Sequence, residues 1–386
     1  MTTNQNRRRM PTTTTNWCDL PLELLELISK KLAFIDIVRF KSVCSCWKSA
    51  AESYTSSPNY TPAPEAPWLM VSLPADHQRV QTGDKDAHYF WFFSLTEKKF
   101  RKIKTSFEGF DYPHVTYAGS SHGWLAICDF NKAMVYLLNP FSGSRIDLPS
   151  ISTLPNIVEG CNPRVCRVVA SSDPSRNKKF FVVVKYVSRI LSPHSKLAFC
   201  KNGDEKWTYL GGGRLCFTFH KGHLYVLRKE TLEVWDLGGT YPMKTVDFRH
   251  GLGRVVTGVN FLESTVVNMV DSLGELYLFG KNIRCGKTIS KEDFHIYKLN
   301  FTSKEWEKVE CLNDQAIFCN HSDGVMLLST RNLPEFEENS IYFTEWRKDE
   351  VSGLLFSLES QVTKEYSNFR WMGVAQPYVW IVPNPW

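Results

Sequence analysis

The sequence predicts a small all-α segment followed by a large all-β propeller of about six blades. Three observations carry that reading. Apolar residues recur at helical spacing only between Leu20 and Ala51. From Trp68 onward, short runs rich in Val, Tyr, Phe and Trp alternate with Gly, Asn, Asp, Ser and Pro, the pattern of strands and turns. Finally, a unit of apolar strand, polar turn and short strand returns at intervals of roughly forty to sixty residues, near the blade length of propeller repeats.

In chain order, residues 1–16 are Thr, Asn, Gln and Arg with almost nothing apolar, and are expected to form a disordered tail. The helical segment occupies 17–52. Leu20, Leu24, Leu27, Ile28 and Leu32 place an apolar stripe on a first helix, with Asp19 as the expected N-cap and Pro21 in the first turn. Asp36 is expected to cap a second helix with Ile37, Val38, Phe40 and Val43 on its apolar face. A third, short helix contains Trp47, Ala50 and Ala51. About three helices of this size cannot bury so many large apolar side chains among themselves, so the surplus calls for a partner. Residues 53–67, rich in Ser, Thr and Pro, read as a semi-rigid linker.

The same residues carry a family likeness. Leu20-Pro21-x-Glu23-Leu24, Ile28, Leu32, Asp36-x-x-Arg39 and Val43-Cys44-x-x-Trp47 resemble the F-box, with Cys46 standing where a basic or small residue is more usual. The resemblance implies docking onto a Skp-family adaptor and, through it, onto the cullin and RING subunits of a ubiquitin ligase. It assigns Leu20, Pro21, Leu24, Ile28, Leu32, Val38, Val43, Cys44 and Trp47 to the adaptor interface.

In residues 68–386, the repeat unit reads Phe92–Ile103, Val135–Pro149, Ile296–Val309 and Leu355–Tyr366. A Gly-led strand precedes several copies, at Gly123, Gly222 and Gly324. A ring of blades needs closure, so the first strand, Trp68–Leu73, and the last, Tyr378–Val382, are expected to share a blade. Gly123-Trp-Leu, Leu138-Asn-Pro-Phe-Ser-Gly, Asn339-Ser-Ile-Tyr-Phe-Thr-Glu, Gly353-Leu-Leu-Phe-Ser-Leu-Glu and the terminal Trp380-Ile-Val-Pro-Asn-Pro-Trp resemble plant F-box proteins that carry a kelch-like propeller.

Composition and motifs narrow the function. The net charge of +6 is spread along the chain without a basic stripe, which argues against nucleic acid as a partner. No apolar run reaches the length of a membrane span, and no membrane association is expected. The eleven cysteines form no spaced framework, so they read as reduced thiols without a metal. Gly119-Ser-Ser121-His-Gly123 matches the nucleophile-elbow pattern, but the strand-like Trp124–Cys128 follows where that motif needs a helix. Gly211-Gly-Gly213 lacks the Lys-Ser/Thr of a phosphate loop and reads as a flexible turn. No cofactor is expected. The reading is a non-catalytic, substrate-recognition subunit of a Skp-cullin-F-box ligase, in the nucleus, the cytoplasm or both, whose propeller binds a target protein for ubiquitination. Two alternatives remain open: a non-degradative F-box scaffold, and a propeller that binds a small ligand or acts as a hydrolase.

Overall fold

The computed structural model describes residues 17–32, 34–57, 66–71, 88–108, 114–157, 163–188, 194–213, 216–228, 231–249, 265–282, 290, 293–320, 324–347, 350–366, 371–372 and 378–384. The expected tail and residues 58–65 of the linker lie outside them. The chain forms two compact units, residues up to 65 and residues 66–384.

The first unit has a 3-10 turn, Trp17–Asp19, then α1 (Leu22–Ser29), α2 (Phe34–Lys41) and α3 (Ser45–Ser56). Asp19 does not cap α1. A residue preceding proline is driven out of the helical region, so Leu20 interrupts the chain and the helix starts after Pro21. Pro21 takes the N-cap position, and its carbonyl accepts from the N–H groups of Leu24 and Leu25 at 3.1 Å each. Asp36 likewise lies inside the first turn of α2 and pairs with Arg39 at 2.8 Å. α3 extends into the expected linker as far as Ser56. Ser57, which precedes Pro58, has extended backbone and ends it.

In the second unit, β1 (Trp68–Val71), β2 (His88–Ser94) and β3 (Lys99–Thr105) begin blade one. Blade two is β4 (Val115–Ser121), β5 (Trp124–Asp129), β6 (Met134–Leu138) and β7 (Arg145–Asp147). Blade three is β8 (Arg164–Ala170), β9 (Phe181–Val187), β10 (Ser195–Lys201) and β11 (Thr208–Gly213). Blade four is β12 (Cys216–His220), β13 (His223–Leu227), β14 (Thr231–Asp236) and β15 (Met243–Arg249). Blade five is β16 (Thr265–Ser272), β17 (Glu275–Asn282), β18 (Phe294–Asn300) and β19 (Glu305–Lys308). Blade six holds β20 (Gln315–Cys319), β21 (Val325–Ser329), β22 (Ser340–Arg347), β23 (Glu350–Ser357), β24 (Thr363–Glu365) and β25 (Trp371–Met372). The last strand, β26 (Tyr378–Ile381), returns to blade one. The result is a six-blade propeller.

Each copy of the sequence repeat is the outer hairpin of a blade: β2–β3, β6–β7, β18–β19 and β23–β24. Every one of these turns contains a residue in the left-handed region, Lys98, Gly143, Lys304 or Gln361, which is why the turns are polar and short. Gly211–Gly213, expected as a flexible turn, instead ends β11, where the three glycines pair with Ser195–Leu197. Blade six departs from simple order: β20 lies between β21 and β22 and runs parallel to β22, which puts β21 on the inner edge beside β16.

Apolar cores lie between blades. Tyr186 and Phe180 fill the layer between blades two and three, Phe217 and Leu197 that between three and four, and Leu232 and Leu278 that between four and five. Phe279 and Phe343 pack between five and six, and Phe318 and Trp380 between six and one. Phe141 meets Trp68 and Phe92 at 5.7 and 5.1 Å between one and two.

Closure follows the expected pairing. β26 is antiparallel to β1, from Trp68 opposite Ile381 to Val71 opposite Tyr378. The C-terminal segment is also latched to its neighbours. The Trp380 indole N–H donates to the Cys319 carbonyl at 3.1 Å, Ser120 Oγ donates to the Trp380 carbonyl at 3.0 Å, and Asn139 Nδ2 to the Asn384 carbonyl at 3.2 Å. Gly123 (φ +81°) lets the β4–β5 turn close against Asn384, whose own Cβ occupies the place a side chain at 123 would take. Asn384 Nδ2 donates to the neighbouring His122 carbonyl at 2.6 Å.

Candidate docking surface

The helical unit is built around a core of few residues. Leu25 of α1, Ile37 and Phe40 of α2, and Ala50 and Ala51 of α3 are buried together, with Leu20, Leu32 and Trp47 packed at the margin. The two alanines allow α3 to lie close to both other helices. Trp47 is fixed twice. Its ring sits 4.3 Å from that of Phe40, and its indole N–H donates to the Trp17 carbonyl at 3.0 Å, which ties the 3-10 turn to α3.

That core is full, yet apolar side chains remain outside it. Leu22, Leu24, Leu25, Leu27 and Ile28 spread apolar side chains over most of α1, leaving Glu23 and Glu26 one side, and of these five only Leu25 is buried, at 1% exposure. Leu24, Leu27 and Ile28, at i, i+3 and i+4 on one face of α1, are exposed at 46, 55 and 38%. Val38 on α2, and Val43 after it, are exposed at 42 and 55%. Such exposure of large apolar groups on a small unit marks a surface built for contact.

The positions assigned from the F-box resemblance therefore divide. Pro21, Leu24, Ile28, Val38 and Val43 are exposed, whereas Leu20, Leu32, Cys44 and Trp47 are half-buried. The stripe and the second-helix face read from periodicity divide in the same way, since Ile37 and Phe40 turn inward and Val38 and Val43 outward. Among the described residues, Trp17, Leu22 and Leu27 are also exposed and apolar but were not among the assigned positions. For Leu27 the signal was present in its spacing from Leu24. Around this surface Arg39 pairs with Asp36, and the backbone N–H of Trp47 holds the Cys44 thiol below its ordinary value. Burial lowers the Lys41 ammonium.

The propeller does not assemble the chemistry tested by motif. Ser121 ends β4, and its hydroxyl accepts the Ala170 N–H at 3.0 Å. The turn at His122–Gly123 leads into β5, a strand where the elbow pattern needs a helix. Among the described residues no group of three or more His, Cys, Asp and Glu is placed to hold a metal ion. Nor is any helix among them long and apolar enough to cross a membrane.

Comparison with known proteins adds two independent findings. The KIB1-4 beta-propeller family matches residues 92–367, and the F-box domain matches residues 17–56. Relatives from Arabidopsis thaliana align along most of both chains. F-box protein At1g10110 is 29% identical, over 86% of this chain and 84% of its own. F-box protein KIB4 is 24% identical, over 84 and 81%. F-box protein At2g05970 is 22% identical, over 92 and 95%.

Proposed function

The chain belongs to the KIB1-4 beta-propeller family and carries an F-box domain ahead of the propeller, and from that premise we propose that it is the substrate-recognition subunit of a Skp-cullin-F-box ubiquitin ligase. The observation that carries this reading is the exposed apolar face of a unit whose core is already filled: Leu24, Leu27, Ile28, Val38 and Val43 lie outside, Leu25, Ile37 and Phe40 inside. An aliphatic surface of that kind suits a Skp-family adaptor. Fully removing a Leu, Ile or Val side chain from water contributes about 1.5–3 kcal/mol, and these side chains are already half-covered, so each contributes a fraction of that. Trp47 would then shape the surface from its margin.

The propeller, a rigid ring of six sheets, would hold the target protein. Its contribution to ubiquitin transfer is positional. A target held on the receptor presents its lysines to the charged conjugating enzyme at a raised effective concentration, so the encounter becomes intramolecular. The chain itself breaks and makes no bond in this scheme.

Co-expression with a Skp-family adaptor tests the docking half. The wild-type chain is expected to co-purify stoichiometrically, and the double variant Leu24→Arg/Val43→Arg to lose the adaptor while keeping the wild-type melting profile. Retention of the adaptor by that variant would contradict the reading. Proteins captured on the propeller in cells should rise in abundance when the proteasome is inhibited. Captured partners whose abundance does not respond would favour a scaffold role.

A further inference from the structure

The inner strands of the propeller, β4, β8, β12, β16, β21 and β26, ring a central channel. Inside it, Arg167 on β8 of blade three donates through Nη1 to Asn268 Oδ1 on β16 of blade five, at 2.9 Å. The inner strand of blade four stands between those two in the ring, so the side chains meet within the channel rather than between adjacent blades. The guanidinium passes over Phe217 of that intervening strand, 5.4 Å from the ring centroid.

Two further donors are buried beside this pair, and one of them has no partner at all. Asn268 is 1% exposed, and its amide nitrogen has no hydrogen-bond partner. The Tyr117 hydroxyl, on β4 of blade two, is shut off from solvent and has only the neighbouring Ser120 hydroxyl beside it, outside good hydrogen-bond geometry. Burial pushes the Tyr117 phenol up, against the opposing effects of Ser120 and Arg167, so it remains a protonated donor at neutral pH. Buried polar groups without partners are rare in folded proteins because each carries its full desolvation cost. Among the described residues no carboxylate pairs with Arg167.

The strands are also shaped at these two positions. β4 has a bulge between Tyr117 and Ser120, and β8 has one between Val165 and Arg167. In β4 the bulge includes Gly119 (φ +136°), where any Cβ would lie 2.6 Å from the Val168 carbonyl oxygen of β8. Bulges re-aim side chains and gather near binding sites.

We propose that Arg167, Tyr117 and Asn268 form a binding site in the propeller channel for the carboxylate of a small organic acid. The charge balance selects that group. One guanidinium with two neutral donors matches a monoanion, whereas a phosphate dianion calls for further cations. The Arg167–Asn268 bond selects a small molecule over a polypeptide, because a chain threading the channel would have to break that bridge. The remaining N–H groups of the guanidinium, the phenol and the amide nitrogen supply the donors a carboxylate accepts from. This site stands whether or not the helical unit docks an adaptor.

The test is calorimetric titration of the full chain with acetate, benzoate and inorganic phosphate, each against sodium chloride at equal ionic strength. Saturable binding of a carboxylate is expected, at least about tenfold tighter than phosphate. Arg167→Gln should abolish it, and Tyr117→Phe should weaken it roughly fivefold, the equivalent of one hydrogen bond. The proposal is overturned if neither carboxylate binds saturably to wild-type chain with an intact melting transition. It is equally overturned if phosphate binds as tightly as the carboxylates, or if Arg167→Gln binds as well as wild type. Should Arg167→Gln fail to fold, the wild-type titrations and Tyr117→Phe decide the matter, with unchanged affinity in Tyr117→Phe counting against the site.

Discussion

Adjacent leucines show how differently the two units use apolar residues. In the helical unit, Leu24 is 46% exposed and Leu25 only 1%. In the propeller, every residue of β5, Trp124–Asp129, is buried, on both faces of the strand. Three short helices can enclose a core of a few side chains and must leave the rest outside, whereas six stacked sheets bury both faces of strands in the middle of a blade, such as β5 and β10. Exposed apolar surface in the first unit therefore follows from its size and is available for binding. In the second unit, stability rests on completing the ring, and the Asn268 amide nitrogen is a buried polar group that this packing leaves without a partner.

The sharpest way to break this comparison is to open the ring. Truncation after Phe369 removes β26, the Trp380–Cys319 and Ser120–Trp380 hydrogen bonds and a wall of the layer between blades six and one. Loss of the cooperative propeller transition is expected by circular dichroism and limited proteolysis. A truncated chain that melts like the full one would show that closure does not hold the propeller together.

Next in size are paired substitutions within α1. Leu25→Ala should destabilise the helical unit by about 2–5 kcal/mol through the cavity it leaves, while Leu24→Ala should change its stability by no more than about 0.5 kcal/mol. Denaturant titration followed by Trp fluorescence measures both, and equal effects would erase the distinction between inside and outside.

A smaller effect belongs to His220, at 1% exposure, stacked on Phe301 with ring centroids 5.2 Å apart and 3.3 Å from Asp271. Burial lowers its pKa below 6.5, against the opposing pull of Asp271. Between that lowered value and 6.5 the unfolded chain binds a proton that the folded chain does not. This contribution is thus fully present above pH 6.5 and declines as pH falls below it. His220→Gln should flatten the fall in melting temperature over that window, and an unchanged profile would remove His220 as its cause. Smallest of all is the exposed Asp36–Arg39 pair, where Asp36→Asn should cost less than about 0.5 kcal/mol.

Much of this architecture is legible in the residues themselves. The outer hairpins announce themselves because each pairs an aromatic-rich strand with a polar turn, as at Val135–Pro149 and Ile296–Val309. The closing strand is legible because Tyr378-Val-Trp-Ile is too apolar to remain unpaired. Four inner strands, β4, β8, β12 and β16, are not. β4 reads Val-Thr-Tyr-Ala-Gly-Ser-Ser and β16 carries Asn268 and Asp271, because strands that border the channel mix polar with apolar side chains and break the run that marks a strand. The parallel β20–β22 pair is invisible for another reason: its order depends on where the Gly324–Asn339 connection crosses, which no local pattern encodes. On α1, leucines spread over more than one face hide which of them turns inward, so Leu25 could be separated from Leu24 only in the fold.

The most direct test of the account is the dissociation constant of the purified chain for a purified Skp-family adaptor, measured for wild type, Leu24→Ala/Val43→Ala and a propeller variant, Arg167→Gln. Tight binding is expected for wild type, with a loss of at least about tenfold in the helical-unit variant at unchanged melting, and no change in the propeller variant. Equal affinity for all three, or no binding by a folded wild-type chain, would contradict it.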